Sequence, residues 1–541
     1  MGNKRGRSTG GAWPSAVLEN FYECASADPD ELQVWGYTDA FSYAPGETVR
    51  FHLNTTAPEV RLDILRDGGA LTSMYRATVK GAFHETPQDC SVKGCGWPVG
   101  YELTIPDDWP SGGYRVRFTV TGKDDRTISG DHWFALRRGA RRRGDILQIA
   151  ATSTWLAYND WGGSNHYEGI LGTNRDQYSP HVSTERPWSR GFCWLPVGAP
   201  RATLKHPAPF NAAPRYPHME WAYSNGYSKK YASAGWATYD RHFYGWAERN
   251  GFEIDLATQH DLHYRPELLE GYAAVVIVGH DEYWSAAMRD AIDGYVEAGG
   301  SLARFGGNFL WQVRLEEEGR RQVCYKYRAR DEDPIRETAE AHLLTSAWED
   351  PLVGRPGAWT VGLNGCRGIY SRLGLCVPRS PGGFIVYRPD HWALAGADTY
   401  YGDVLGGPSC IFGYEVDGLA YTVRDGLVYP THEDGAPESV EIVAMGLATG
   451  VEDNHGHDPS LFFIGDMDGA YAAELLYGKA TPETIEKTRR GSGMIATMTK
   501  GKGEVFNAGT CEWVNGLIER DPQVGQVTRN VLNRAIARES P

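Results

Sequence analysis

The stretch from Ala273 to Trp311 constrains this chain most. It opens on six apolar residues, Ala273-Ala274-Val275-Val276-Ile277-Val278, and breaks at Gly279 into His280-Asp281-Glu282-Tyr283-Trp284-Ser285. An amphipathic stretch follows, then Gly299-Gly300, a second strand-like run Ser301-Leu302-Ala303-Arg304-Phe305, and Gly306-Gly307-Asn308-Phe309-Leu310-Trp311. A run with no polar face has nothing to offer water on either side. It reads as a strand buried on both faces, and the amphipathic stretch after it as a crossover helix in a parallel sheet. Open α/β sheets bind ligands just past the carboxyl ends of their strands. That position holds His280, Asp281 and Glu282 as acid–base candidates, with Tyr283 beside them.

A chain of 541 residues suffices for two or three domains. Its net charge of -15 argues against nucleic acid and anionic membranes as partners, because both call for basic patches. The 18 Trp and 30 Tyr suit carbohydrate platforms, interfaces or deep pockets, and equally a large β-rich core. No apolar run is long enough for a bilayer, and Met1-Gly2-Asn3-Lys4-Arg5-Gly6 lacks the apolar segment of a signal peptide, so a cytoplasmic protein is expected. The nine Cys are odd in number and scattered, which points to free thiols. Cys90 and Cys95 are spaced for a bridge, but no second pair completes a zinc site.

Residues 1–32 read as a flexible lead-in. From 33 to 137 the text is all-β: Thr48-Val49-Arg50-Phe51-His52-Leu53 and Tyr114-Arg115-Val116-Arg117-Phe118 alternate, with Pro45-Gly46 and Gly112-Gly113 as turns. A β-sandwich is expected there. Arg137 to Gly144 is a basic linker. From Asp145 to the end, strands alternate with helices, the pattern of an α/β domain, with a β-rich excursion at about 313–480. Ile146 to Thr152 and Glu253 to Thr258 read as strands, Gly235 to Arg249 as a helix, Gly491–Met498 with Gly503–Phe506 as paired strands, and Val524 to Arg538 as a last helix. The long aromatic, Gly- and Pro-rich segment between Trp161 and Trp236 reads as a pocket wall or lid.

The expected strand ends offer Thr152–Asp160, Gln259–His263, His280–Tyr283, Gly307–Trp311 and Asn507–Glu512 at one edge of the sheet. No phosphate-binding glycine fingerprint, nucleophile elbow or His-Glu-x-x-His helix occurs. No Cys follows the strand at Val278, so an amidotransferase-type nucleophile is missing there. His260 and His263 have metal-like spacing but equally suit backbone carbonyls. Asn507 and Glu512 read as caps of the last helix, and Asp453 to Asp458 as a polar loop.

The phrase Gly279-His280-Asp281-Glu282-Tyr283-Trp284-Ser285 with Gly306-Gly307-Asn308 resembles the C-terminal region of the large subunit of N,N-dimethylformamidase and its relatives. So do Gln259-His260-Asp261-Leu262-His263, Phe506-Asn507-Ala508-Gly509-Thr510-Cys511-Glu512-Trp513-Val514 and Gly36-Tyr37-Thr38-Asp39. The resemblance implies a β-sandwich joined to an amidotransferase-like α/β domain, without that family's lectin-like N-terminal domain. It implies hydrolysis of a small amide with one non-haem iron (Fe3+) held by two tyrosines and a glutamate. Tyr283 matches one tyrosine and Tyr244 stands for the second. Cys366 falls where the glutamate is expected, and Glu340 is a carboxylate that would substitute. A trivalent hard cation favours phenolate and carboxylate oxygen and activates water for attack on an amide carbonyl. Asn165, His166 and Trp311 are candidates for orienting substrate.

The expected protein is therefore a metal-dependent C–N amide hydrolase, a homo-oligomer that also admits a small partner subunit. Two other classes stay open. One is a binding or assembly module that keeps the fold without the metal. The other is a carbohydrate-active protein, for which no convincing carboxylate pair stands in the sequence.

Overall fold

The computed structural model describes residues 6–7, 21–139, 144–169, 179–203, 216–368, 370–371, 382–449 and 467–538. The polar loop Asp453–Asp458, most of the lead-in and residues 140–143 of the linker lie outside the described residues. The chain forms two compact units. Unit 1 comprises Met1–Pro200, His218–Tyr264 and Arg314–Cys324, and unit 2 comprises Arg201–Pro217, Arg265–Val313 and Tyr325–Pro541.

Unit 1 begins with alternating strands. β1 (Val34–Thr38), β2 (Thr48–Thr55) and β5 (Val99–Thr104) form a three-stranded antiparallel sheet. β3 (Glu59–Asp67), β4 (Leu71–Lys80), β6 (Gly112–Thr121) and β7 (Thr127–Leu136) form a second sheet, with Ser42–Tyr43 parallel to β7. Every second side chain of β2, namely Val49, Phe51 and Leu53, enters one core with Leu62, Ile64, Val116 and Phe118. Burying each such side chain contributes roughly 1.5–3 kcal/mol, which is what fixes the register.

β8 (Ile146–Ala150) and β9 (Ile254–Thr258) then pair in parallel, Ile146 against Ile254 through Ala150 against Thr258, and all ten residues are buried. Two differences from the sequence reading follow each strand. Thr152–Tyr158 is a helix, α1, and Gln259–Tyr264 is a short helix, where only strand ends were expected. Neither advertises itself, because the start of α1 is capped through space: Ser153 N donates to Gln259 Oε1 at 2.9 Å, a partner more than a hundred residues away. The helix expected from Gly235 also splits. Trp236–Asp240 is a wide π-type turn, and only Arg241–Arg249, α2, is α-helical.

Unit 2 is built on the opening stretch. β10 (Ala274–His280) leads through the short strand β11 (Tyr283–Ser285) into α3 (Ala286–Ala298) and then β12 (Ser301–Gly307). β10 and β12 are parallel, Ala274 against Ser301 through His280 against Gly307. The Ser285 hydroxyl accepts from Met288 N and starts α3, and Gly299, at φ +132°, ends it. β13 (Trp311–Glu316) places Trp311 beside Tyr283. The β-rich excursion returns to the same sheet as β14 (Glu441–Thr449), antiparallel to β15 (Arg490–Lys500). β16 (Gly503–Asn507) pairs antiparallel with β15 and parallel with β12. The helices α4 (Trp513–Ile518) and α5 (Pro522–Ala537) follow, α5 capped by Asp521. The result is a mixed α/β chain. Among the described residues, no helix is long and apolar enough to cross a membrane.

Candidate active site

The carboxyl ends of β10, β12 and β16 bring their side chains to one place in unit 2. His280, the last residue of β10, has Nε2 2.6 Å from Glu415 Oε2 and 3.3 Å from Glu282 Oε2. Its ring meets the Tyr414 ring edge-on at 5.4 Å. Asn308, just past β12, donates through Nδ2 to Glu415 Oε2 at 2.8 Å, and the same nitrogen lies 3.1 Å from His280 Nε2. Trp311 Nε1 donates to Glu282 Oε1 at 2.7 Å. Cys511, four residues past β16, completes the cluster: His280, Glu415 and Cys511 present donor atoms within 4.8 Å of one another, and all three are buried.

Local sequence explains how three segments converge so tightly. Glu415 lies in the two-residue strand Tyr414–Glu415, and its carbonyl accepts from Cys511 N at 3.0 Å. Thr510 Oγ1 donates to the carbonyls of Ile411 and Gly413, which ties the same two segments together. Both press on Gly307, where a Cβ would stand 2.6 Å from Cys511 N and 2.8 Å from Glu415 O. Any larger residue at 307 would push Glu415 and Cys511 away from His280. The next residue, Asn308, sits at φ +63°, a left-handed conformation that Asn tolerates better than most residues.

Beneath the cluster lies a fully buried cation. Arg304 donates through Nε to Asp281 Oδ2 at 2.9 Å and through Nη1 to Asp417 Oδ2 at 2.6 Å. Asp417 Oδ1 accepts from Phe309 N at 2.9 Å, and Asp281 Oδ1 from Trp284 Nε1 at 2.7 Å. One guanidinium thus holds the segments that carry His280, Glu282, Asn308 and Glu415. Asp281, a candidate catalytic group, is committed to this scaffold.

The electrostatics follow from burial and from these partners. Burial alone would lower the His280 imidazolium, but Glu415 and Glu282 overcome it and push it up to about 10. Burial raises Glu415, against the opposing pull of His280. Burial, reinforced by Glu415, holds the Cys511 thiol well above its usual value. Burial also raises Asp281, against the opposing pull of Arg304. The imidazolium is therefore held protonated between carboxylates, and the cluster combines a proton donor with two potential bases.

The remaining sequence candidates have other neighbours. Tyr283 is buried in β11 with its ring 5.9 Å from the Lys326 ammonium. Cys366 is paired with Glu349, whose carboxyl it hydrogen-bonds. Glu340 is solvent-exposed, just before the short turn Ala341–Leu343. In unit 1, Asn165 Oδ1 accepts from Tyr167 N and Glu168 N, so this amide closes a loop. His166 Nδ1 lies 2.9 Å from Ser179 O. His260 bonds Thr152 Oγ1, and burial pushes its imidazolium down to about 4.

Tyr244, also in unit 1, accepts from Arg66 Nη2 at 3.1 Å and faces the carbonyls of Ser111 at 3.0 Å and Ile254 at 3.1 Å. A phenolate there would confront two carbonyl oxygens. The Tyr244 hydroxyl is engaged with Arg66, Ser111 and Ile254. Of the expected ferric set, the Tyr244 hydroxyl and the Cys366 thiol are thus engaged with other protein groups, and Glu340 faces solvent. Glu512 and Asn507 also differ from their expected capping role. The Glu512 carboxylate binds Arg201 at 3.1 Å, and Asn507 Oδ1 accepts from Gly509 N at 2.9 Å.

A family described as N,N-dimethylformamidase beta subunit-like, C-terminal, matches residues 66–525. The N,N-dimethylformamidase beta subunit of Alcaligenes sp is 25% identical over 499 residues, 84% of this chain and 56% of the relative. That of Paracoccus aminophilus is 24% identical, over 84% of this chain and 55% of its own length. The chain spans about half the length of these curated relatives. The solved structure of murine CRIg is 14% identical over 20% of this chain, with a TM-score of 0.14, and carries no fold argument. The match over most of its length, with the HDEYW segment at its centre, places this chain in the N,N-dimethylformamidase beta subunit-like, C-terminal family.

Proposed function

We propose that this chain hydrolyses the C–N bond of small amides, with the chemistry at His280, Glu282 and Glu415. The observation that carries this reading is the placement of one buried imidazole nitrogen 2.6 Å and 3.3 Å from two carboxylates. Family membership and the names of the relatives support the amide as substrate class. Amide hydrolysis needs a base to take a proton from water, a donor for the developing oxyanion and an acid for the departing amine. Glu282 or Glu415 supplies the base and, once it holds the proton taken from water, returns it as the acid to the departing amine. The imidazolium N–H supplies the donor, and Asn308 and Trp311 hold the carboxylates in place. Burial strengthens each of these interactions relative to water. No step is routed through the ferric ion that the resemblance implies, because Tyr244 and Cys366 of the expected set are engaged with other protein groups.

The same reading keeps the N-terminal strands at 33–137 as a β-sandwich and 145–541 as an amidotransferase-like α/β domain. It extends to this chain a cytoplasmic site of action and an assembly with further subunits, since the relatives are named as beta subunits. A non-catalytic module would have little use for two carboxylates crowded on one buried imidazole, a costly arrangement typical of functional sites.

The test is amine release from a panel of N-alkyl amides that includes N,N-dimethylformamide. Wild-type protein turns over at least one member, and Glu282→Gln loses roughly 10²–10⁴-fold in kcat/KM. Full activity in Glu282→Gln would remove this residue from the mechanism.

A further inference from the structure

Unit 1 buries a set of reactive side chains that the amide chemistry does not use. We infer that Cys90 and Cys95 form an oxidisable dithiol that closes into a disulfide, with hydrogen peroxide as the oxidant and the Arg186 guanidinium as the group that activates Cys90. All three residues belong to unit 1.

Local structure brings the two thiols together. Cys90–Lys93 is one helical turn, closed by Gly94 N donating to Cys90 O at 2.9 Å. Gly94, at φ +88°, then turns the chain into Cys95. Cys95 N donates to Glu185 O at 2.9 Å, which pins the second cysteine beside Arg186 in the sequence. Both cysteines are 2% exposed and enter one aromatic core with Trp35, Trp97 and Trp161. There the side chains act on each other directly. Cys95 is the main influence lowering the Cys90 thiol, whereas burial, followed by Cys90, holds Cys95 well above its usual value.

The buried cation beside them has no carboxylate of its own. Arg186 donates through Nε to Ser183 O at 3.1 Å, and through Nη1 to Trp161 O at 2.5 Å and Ser164 O at 3.1 Å. All three acceptors are neutral carbonyls. Nη2 is buried without a hydrogen-bond partner, and among the described residues no carboxylate pairs with this guanidinium. A buried charge calls for a counter-charge. Cys90 and then Cys95 act on Arg186 more strongly than Asp160 does. The backbone agrees. A Cβ on Gly162 would stand 2.7 Å from Cys90 Sγ, so the turn whose Trp161 carbonyl Arg186 holds lies against that sulfur. Ser164, whose carbonyl also accepts from Arg186, bonds through its hydroxyl to Ser91 Oγ at 2.7 Å, one residue from Cys90.

The two cysteines therefore have unequal parts. A thiolate is the nucleophile, and a neighbouring arginine favours it; a neutral thiol beside it is placed to resolve the product. The Cys90 thiolate attacks one peroxide oxygen and the O–O bond breaks. The departing hydroxide takes a proton and leaves as water, and Cys90 becomes a sulfenic acid. Cys95 gives up its proton and attacks that sulfur. An S–S bond forms, and the sulfenic oxygen leaves as a second water. Two thiols lose two electrons and one peroxide gains them. Burial of both sulfurs favours so small an oxidant over a bulky disulfide. Cys24 is the other thiol acted on by Cys90, but its own value is pushed up to about 11, chiefly by burial, which makes it the control.

The experiment reduces the full-length chain, removes the reductant and titrates with hydrogen peroxide, followed by alkylation and peptide mapping without reduction. The expected result is a Cys90–Cys95 bridge that is absent from the untreated chain and is removed by dithiothreitol. Cys24→Ser still forms it. Cys95→Ser stops at a Cys90 sulfenic acid, which dimedone labels. Arg186→Met slows bridge formation at least about tenfold at neutral pH. If Arg186→Met does not fold, the linkage map and the Cys95→Ser labelling decide. No bridge at peroxide levels that leave the methionines intact, a bridge from Cys24 instead, no dimedone adduct on Cys90 in Cys95→Ser, or wild-type oxidation in folded Arg186→Met would each overturn the proposal.

Discussion

Arg304 offers the sharpest test of how the centre is assembled. Its guanidinium is fully buried and spans Asp281 Oδ2 at 2.9 Å, Asp281 O at 3.2 Å, Asp417 Oδ2 at 2.6 Å and Asn507 Oδ1 at 3.3 Å. Arg304→Met keeps much of the aliphatic stem but leaves two buried carboxylates without their cation. Breaking one side of such a network costs about 3–5 kcal/mol. Burial already raises Asp281, with Arg304 opposing. Without Arg304 the carboxyl rises further and stays protonated to higher pH. The folded state then holds more protons than the unfolded chain, so the variant loses more stability at pH 8 than at pH 5. The assay is hydrogen exchange by mass spectrometry on peptides covering 274–280 and 301–307, which isolates this sheet from the unfolding of unit 1. A loss of 3–5 kcal/mol accelerates exchange there by roughly 10²–10⁴-fold. Adding Asp417→Asn to Arg304→Met restores about 1–3 kcal/mol by removing one unpaired charge. A change below about 1 kcal/mol in Arg304→Met would refute the view that this guanidinium staples the site together.

Glu349 is half-buried against Cys366, and burial pushes its carboxyl up from 4.5 to about 7. A raised folded value stabilises the fold fully below about 4.5 and loses that contribution as pH rises through about 7. Glu349→Gln therefore flattens the stability–pH curve in that window by roughly 3 kcal/mol, which denaturant melts at pH 4.5 and 7.5 check. Tyr244→Phe removes a hydroxyl shared by Arg66, Ser111 and Ile254 and lowers stability by about 1–3 kcal/mol, measured by thermal melting.

Much of unit 2 is legible in the chain order of its residues. The apolar run at 273–278 has no polar face, so it becomes the buried strand β10, and the pattern after it becomes α3 and β12. Three of the five expected strand ends converge, at His280, Asn308 and Cys511. Glu415 and Cys511 escape a linear reading for a physical reason. Glu415 lies on a two-residue strand with no periodicity, and it reaches His280 only because Thr510 and Gly307 draw the two segments together. The useful signal was Gly306-Gly307 at the end of a strand, which marks a close approach by other backbone. The resemblance named Tyr244, Cys366 and Glu340 by residue type but not by their neighbours in the fold, which are Arg66, Glu349 and solvent. The start of α1 was equally invisible, since Gln259 caps it across the fold.

The central claim is that Glu415, beside His280, takes part in amide hydrolysis. The most direct measurement compares kcat/KM of Glu415→Gln and Glu340→Gln with wild type on the best amide of the panel, alongside their melting temperatures. The account predicts a loss of roughly 10²–10⁴-fold for Glu415→Gln with the fold retained, and wild-type turnover for the exposed Glu340→Gln. A folded Glu415→Gln protein with wild-type kcat/KM would contradict it.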